Sequence, residues 1–177
     1  MKKDNCIFLV GLAASGKTTL GSALAEHMQI SFIDLDHAIE KRVGMSIPEF
    51  FAEQGEGSFR LIEKEVLLEI MAIQEGFVMA TGGGAPCYHF NIDAMNNHGI
   101  TVYLEVPPGD LALRIMEEGL EKRPVFKSYD QLDLISEIRA MKELRTPFYE
   151  QADIHIKGHD ISVEKLYNSL QAFSANH

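Results

Sequence analysis

The chain has 177 residues, of which 46% are hydrophobic and 24% are charged, and this balance predicts a globular α/β domain with a full core. Its formal net charge of −10 disfavours a general nucleic-acid-binding protein, because binding a phosphate backbone requires clustered Lys and Arg. The two cysteines have no metal-binding or redox spacing, and no stretch approaches the ~20 apolar residues that cross a bilayer. We therefore expect a cytoplasmic protein that binds neither nucleic acid nor membrane.

Short apolar runs alternate with helical patterns along the chain. The apolar runs predict five strands at residues 6–10, 32–35, 77–81, 100–106 and 154–156. Apolar residues at three- and four-residue steps predict helices that include 19–28, 59–74, 132–144 and 162–173. This alternation indicates a three-layer α/β/α fold with a five-stranded parallel sheet. Two stretches containing glycine and proline, 43–57 and 117–129, are predicted to be mobile insertions.

Residues 11–18, Gly-Leu-Ala-Ala-Ser-Gly-Lys-Thr, match the phosphate-binding pattern G-x-x-x-x-G-K-[ST] between the first strand and the first helix. The loop N–H groups and the helix start direct partial positive charge at an anion. We expect Lys17 to reach the β- and γ-phosphates and the Thr18 hydroxyl to bind Mg²⁺. The alternative is an ordinary glycine turn. The predicted ATP-binding residues of this loop are Ala14, Ser15, Gly16, Lys17, Thr18 and Thr19.

Two carboxylates, Asp34 and Asp36, follow the second predicted strand. In an extended chain, residues two apart share a face, so both side chains are expected to point toward the phosphate-binding loop. One would hold Mg²⁺, directly or through water, and the other would accept a proton from an attacking hydroxyl. The alternative for Asp36 is that it caps a helix beginning near His37.

Three glycines, Gly82 to Gly84, follow the third predicted strand and allow close backbone approach to a ligand, or else form a plain loop. Arg60 and Arg145 are candidate anion-binding residues on predicted helices, and Arg123 lies in the stretch 117–129. For Arg60 the alternative is a helix-surface ion pair with Glu56 or Glu63. For Arg145 it is a favourable interaction with a helix C-terminus.

These motifs together resemble the shikimate kinase family, which belongs to the nucleoside-monophosphate-kinase-like group of P-loop proteins. The resemblance covers nearly the whole chain and is more specific than a P-loop alone. In chain order, its motifs are the strand and loop at 7–18, Phe32-Ile33-Asp34-Leu35-Asp36, the segment 55–60 ending in Phe59-Arg60, Ala80-Thr81-Gly82-Gly83-Gly84, Lys122-Arg123-Pro124, and Arg145-Thr146-Pro147-Phe148-Tyr149.

The resemblance implies ATP-dependent phosphorylation of the 3-hydroxyl of shikimate, a step of aromatic amino-acid biosynthesis. It implies that Asp36 binds the shikimate hydroxyls and orients or deprotonates the attacking one. Arg60 and Arg145 are implied to bind the carboxylate, and Gly83 to contact the substrate through its backbone. Arg123 is implied to bind the ATP phosphates, which makes it a catalytic residue together with Lys17 and Asp36.

The resemblance also implies a single monomeric kinase domain over 1–177, with a substrate-binding segment at about 33–61 and a lid at about 117–129. Lys17 would stabilise the transferring phosphoryl group, while Thr18 and Asp34 would lie at Mg²⁺. The chain departs from the family in having Ala14 where glycine is common and Thr18 where serine is frequent. Two alternatives remain at this point: a kinase of another small hydroxy acid such as gluconate, and a nucleotide-binding regulatory module without catalysis.

Overall fold

A computed structural model of the chain describes residues 5–72, 76–118 and 131–176. The strands are β1 (Cys6–Val10), β2 (Ser31–Asp34), β3 (Phe77–Ala80), β4 (Ile100–Glu105) and β5 (Ile154–Lys157). The α-helices of the described residues are α1 (Lys17–Met28), α2 (Leu35–Val43), α3 (Ile47–Met71), α4 (Asn91–His98), α5 (Pro108–Glu118), α6 (Gln131–Tyr149) and α7 (Val163–Ser174), and a short 3₁₀ helix covers Ala85–Cys87.

The strands form one parallel sheet in the order β2-β3-β1-β4-β5. The central strand β1 is buried along its whole length, and its side chains alternate between the two faces of the sheet. Phe8 packs on one face with apolar residues of α2 to α6, whereas Ile7 and Leu9 pack on the other with α1 and α7. The predicted α/β fold with a five-stranded parallel sheet is therefore confirmed, and each predicted strand end lies within one residue of the observed one.

The stretch 43–57, which was predicted as a mobile insertion, is mostly helical in the structure. Helix α3 begins at Ile47, because Ser46 and Glu49 form a capping box, and Pro48 lies in the first turn, where its missing N–H is tolerated. The helix is kinked at Gly55, which has a φ of 77°. The predicted helix 59–74 is thus only the second half of a longer element. Of the other predicted insertion, 117–129, residues 119 onward lie outside the described part of the chain.

Helix α6 continues past the predicted end at residue 144 to Tyr149, with Pro147 inside its last turn. A residue that precedes proline is normally disfavoured in helical conformation, which is why the sequence pattern predicts an end near Thr146. Here the completely buried Tyr149 anchors the last turn in the core. Arg145 therefore lies within a helix rather than at its end. No helix of the described residues is both long and apolar enough to cross a membrane.

Candidate active site

The loop between β1 and α1 wraps around the amino group of Lys17. Lys17 Nζ donates hydrogen bonds to the carbonyl oxygens of Gly11 at 2.8 Å and Leu12 at 2.7 Å, and it lies 3.3 Å from Ser15 Oγ. Gly16 caps α1 with a φ of 93°, in the left-handed region that glycine adopts without strain. The loop thus holds a largely buried positive charge at the start of a helix, which is a favourable setting for phosphate.

Ala14 has a φ of 61°, a left-handed conformation that is unfavourable for a residue with a Cβ atom. Its carbonyl oxygen accepts a hydrogen bond from Arg114 Nη1 at 3.1 Å, and Arg114 Nη2 donates to the carbonyl oxygen of His159 at 2.7 Å. Arg114 therefore connects the phosphate-binding loop to the segment between β5 and α7. No sequence signal distinguishes this arginine, because it lies in a helix with no motif of its own.

Two cavities lie side by side at the carboxyl end of the sheet. The larger, of about 490 Å³, is lined by residues 13–20 of the phosphate-binding loop and α1 and by Arg114. The smaller, of about 160 Å³, is lined by Arg60, Glu63 and apolar residues of α3. Asp36 and Gly83 line both cavities, so they mark the point where the two meet. All six predicted ATP-binding residues of the loop line the larger cavity.

Asp34 and Asp36 belong to different elements, so the expectation that they form an extended pair is wrong. Asp34 ends β2 and caps α2 by accepting a hydrogen bond from the N–H of His37 at 3.2 Å, whereas Asp36 lies in the first turn of that helix. Thr18 Oγ1 donates to Asp34 Oδ2 at 2.9 Å. A hydroxyl and a carboxylate are oxygen ligands of the kind that Mg²⁺ uses together with phosphate oxygens, so these two residues fit that ion.

Asp36 opens into the junction of the two cavities, where its side chain is exposed but loses part of its hydration to the surrounding walls. This partial desolvation raises the pKa of Asp36, and the nearby negative charge of Asp34 raises it further, while Lys17 and Arg60 act in the opposite direction. A carboxyl with a raised pKa holds a proton more strongly than a free one. Asp36 is therefore suited to accept a proton from, or orient, a hydroxyl placed at this junction.

Each of the three glycines after β3 makes room for a different polar side chain. A Cβ atom at Gly82 would lie 2.6 Å from Asp36 Oδ1, and one at Gly84 would lie 2.6 Å from Arg60 Nη2. At Gly83 the nearest atom would be Arg145 Nη1, at 3.2 Å. The glycines thus bring Asp36, Arg60 and Arg145 around one segment of backbone, on the side of the phosphate-binding loop.

Arg60 is only 8% exposed and is held by two acidic residues of its own helix. Its Nη1 donates to Glu63 Oε2 at 2.8 Å, and Nε and Nη2 donate to Glu56 Oε1 at 3.2 and 3.1 Å. The guanidinium also lies over the ring of Tyr88, with Cζ 4.3 Å from its centroid. The ion pairs with Glu56 and Glu63 that were the alternative for Arg60 are present, and Arg60 lines the smaller cavity as well.

A sequence model of the shikimate kinase family matches residues 13–174 of this chain. The chain belongs to the shikimate kinase family. It is similar to the shikimate kinase of Bacteroides fragilis, with 44% identity over 147 residues, which are 83% of this chain and 81% of that protein. It is an ATP-dependent kinase with the P-loop fold of the nucleoside-monophosphate-kinase-like group, as the resemblance implied.

Two solved structures of shikimate kinases superimpose on the structure of this chain. The shikimate kinase of Bacteroides thetaiotaomicron superimposes with a TM-score of 0.85 at 37% identity, and 96% of each chain is covered. That of Acinetobacter baumannii, in complex with shikimate, superimposes with a TM-score of 0.82 at 34% identity and covers 96% of this chain and 93% of its own. The shikimate kinase fold therefore extends over nearly the whole chain.

The predicted site residues of this shikimate kinase family member converge, apart from Arg123, which lies outside the described residues. Glu63 was expected only as a surface partner of Arg60 but is buried, and Tyr149 was not expected as a partner of Arg145. Glu63 is 1% exposed, and burial raises its pKa although Arg60 opposes the shift. Its position three residues after Arg60 was a usable signal, but one that is equally typical of an exposed helix pair.

Proposed function

We propose that this protein transfers the γ-phosphoryl group of ATP to the 3-hydroxyl of shikimate in aromatic amino-acid biosynthesis. The observation that carries the proposal is the junction of the two cavities at Asp36 and Gly83. A nucleotide in the larger cavity has its terminal phosphate near Lys17, and a small acid in the smaller cavity presents its hydroxyls to Asp36. The shikimate-bound neighbour from Acinetobacter baumannii supports the choice of substrate.

The chemistry of the smaller cavity suits a small polyol acid. Arg60 and Arg145 bind the carboxylate, since a guanidinium matches a carboxylate with two parallel hydrogen bonds. Gly83 contacts the substrate through its backbone, and Asp36 orients the attacking hydroxyl or takes its proton. Because Arg60 lines the smaller cavity and Lys17 the larger one, the substrate is oriented with its carboxylate toward Arg60 and a hydroxyl toward Lys17.

The larger cavity supplies the phosphate-binding part of the reaction. Backbone N–H groups of residues 14–19 bind the ATP phosphates, and Lys17 stabilises charge on the transferring phosphoryl group. Thr18 and Asp34 would hold Mg²⁺, directly or through water. When bound, that ion neutralises phosphate charge. Arg123, in the proposed lid, adds a further positive charge at the phosphates.

We also infer that residues 1–177 form one kinase domain, with a substrate-binding segment at about 33–61 and a lid at about 117–129. A closing lid serves this reaction because water would otherwise compete for the phosphoryl group. We infer that the protein is a monomer, as the family resemblance implies. A biosynthetic reaction that consumes ATP, in a chain without a disulfide between its two cysteines, supports a cytoplasmic location.

A coupled ADP-release assay with a panel of small hydroxy acids tests the proposal. We expect shikimate to be turned over and gluconate not to be. Phosphorylation of gluconate alone would assign another substrate. ATP binding without ADP release for any acid would favour a nucleotide-binding regulatory module.

A matched pair of arginine variants tests the placement of the carboxylate. Arg145→Ala is expected to raise the KM for shikimate about 30-fold or more, since removing one partner of a buried charge pair costs about 2 kcal/mol or more. The KM for ATP should stay within about twofold. Arg42→Ala is the control, because Arg42 forms an exposed ion pair with Glu69 at 3.5 Å on the outer surface. A larger effect of Arg145→Ala on ATP than on shikimate would move this residue to the nucleotide side.

A further inference from the structure

Tyr149, the last residue of α6, brings a hydroxyl group into the core beside the candidate active site. Its side chain is completely buried, and its ring lies 5.1 Å from that of Tyr103. The Tyr149 hydroxyl donates a hydrogen bond of 2.5 Å to the carbonyl oxygen of Gly83. This bond joins two segments that are 66 residues apart in the chain. The bond therefore ties the middle of the glycine segment to the end of α6.

The same hydroxyl faces Arg145, one helical turn earlier. Residues four apart on a helix lie on one face, so Arg145 and Tyr149 project side by side. Burial raises the pKa of the Tyr149 hydroxyl, whereas the charge of the Arg145 guanidinium and a hydrogen bond from it lower that pKa. The hydroxyl stays protonated at neutral pH and remains a donor to Gly83. Arg145 Nη1 in turn lies 3.2 Å from the position that a Cβ atom at Gly83 would occupy.

Tyr149, Arg145 and Gly83 thus form a closed triangle of contacts. Arg145 has several rotatable bonds and is only half-buried, so packing alone does not determine the position of its guanidinium. Gly83 has no side chain through which neighbouring residues could hold it. The tyrosine supplies one rigid group that contacts both, and the continuation of α6 through Pro147 is what places it there.

We propose that the Tyr149 hydroxyl is a positioning group that aligns the Arg145 guanidinium with the backbone of Gly83, so that the carboxylate and the ring of the substrate are bound in one fixed frame. The inference rests on the proposed function, since it assigns Arg145 and Gly83 to the acid substrate. Tyr149 itself touches no reacting atom. Its effect is therefore expected in the binding of the acid and not in the binding of ATP.

Tyr149→Phe keeps the ring and removes only the hydroxyl. The loss of one buried hydrogen bond is small compared with the stability of a folded domain of this size, so the variant is expected to fold. We expect its KM for shikimate to rise about tenfold and its KM for ATP to change less than twofold. Tyr103→Phe is the matched control, since Tyr103 is a buried tyrosine whose ring packs at a tilt against that of Tyr149 and whose hydroxyl bonds to the Thr146 side chain instead. The Tyr103→Phe substitution should change neither the KM for shikimate nor the KM for ATP.

A double substitution tests whether the tyrosine acts through Arg145. With Arg145→Ala in place, Tyr149→Phe should raise the KM for shikimate less than twofold further, because the group that it positions is gone. Full multiplication of the two effects would overturn the inference. So would equal changes for shikimate and ATP, or equal changes in the Tyr149→Phe and Tyr103→Phe proteins. The proposed function is tested separately, by whether the unaltered protein turns over shikimate. The role of Tyr149 is tested by the ratios of KM values between the variants and the unaltered protein.

Discussion

A single methyl group at position 84 tests whether the glycines after β3 are needed to make room for substrate-binding side chains. In Gly84→Ala the new Cβ atom would lie 2.6 Å from Arg60 Nη2 and 2.8 Å from Nη1. Ordinary van der Waals contact begins near 3.4 Å, so the guanidinium must move by about 0.8 Å. The φ of Gly84 is −88°, which alanine adopts freely, so the substitution acts through space and not through backbone strain.

The displacement is large in comparison with the contacts that hold Arg60. Its Nη1 donates to Glu63 Oε2 at 2.8 Å, and a shift of about 0.8 Å away from that oxygen takes the pair beyond hydrogen-bonding distance. A hydrogen bond between charged groups contributes about 1.5–3 kcal/mol, which corresponds to a factor of about 10 to 100. We therefore expect kcat/KM for shikimate to decrease about 10- to 100-fold, while the KM for ATP changes less than twofold.

Steady-state kinetics with each substrate varied in turn, together with thermal unfolding, measure these effects. The control is Gly57→Ala, on the same helix as Arg60 and one turn before it, where an added Cβ atom meets nothing within 4 Å. Alanine there should leave both KM values unchanged and raise the free energy of unfolding by up to about 1 kcal/mol. If Gly84→Ala keeps a normal kcat/KM for shikimate, or loses affinity for ATP equally, the spacing role of Gly84 is refuted.

Three further substitutions test Asp36 and two residues of the phosphate-binding loop. Asp36→Asn should lower kcat about 10²–10⁴-fold with ATP affinity retained. Because the folded state raises the pKa of Asp36 above 3.8, the protonated carboxyl contributes stability that is lost as pH rises through the raised pKa. The Asp36→Asn protein should therefore melt at a higher temperature than the unaltered protein at neutral pH and lose this advantage below pH 3.8. Near-normal turnover, or a lower melting temperature at neutral pH, would contradict this assignment. Thr18→Val removes the hydroxyl that bonds to Asp34 and should raise the Mg²⁺ concentration required for half-maximal turnover; an unchanged Mg²⁺ titration would exclude Thr18 as a ligand. Ala14→Gly removes the unfavourable left-handed conformation of an alanine with a φ of 61° and should raise the melting temperature modestly. Differential scanning calorimetry measures this change, and a lower melting temperature would contradict the prediction.

The features predicted correctly from the sequence are those that depend on neighbours in the chain. The phosphate-binding loop is a contiguous pattern between a strand and a helix, and the strands are short apolar runs whose ends lie at turn residues. Local signals were also present where the prediction was wrong. The capping box at Ser46 and Glu49 marks the start of α3, and only the kink at Gly55 separates the predicted half of that helix from the other.

The tertiary structure alone decided which side chains meet. Ala14 and Arg114 are 100 residues apart, Gly83 and Tyr149 are 66 apart, and these pairs are in contact because the order β2-β3-β1-β4-β5 brings the carboxyl ends of distant strands together. The sequence indicated that three glycines let a ligand approach the backbone, whereas in the structure they make room for Asp36, Arg60 and Arg145. Such complementarity depends on distances of a few tenths of an ångström between segments with no local relationship, and only the packed fold determines those distances.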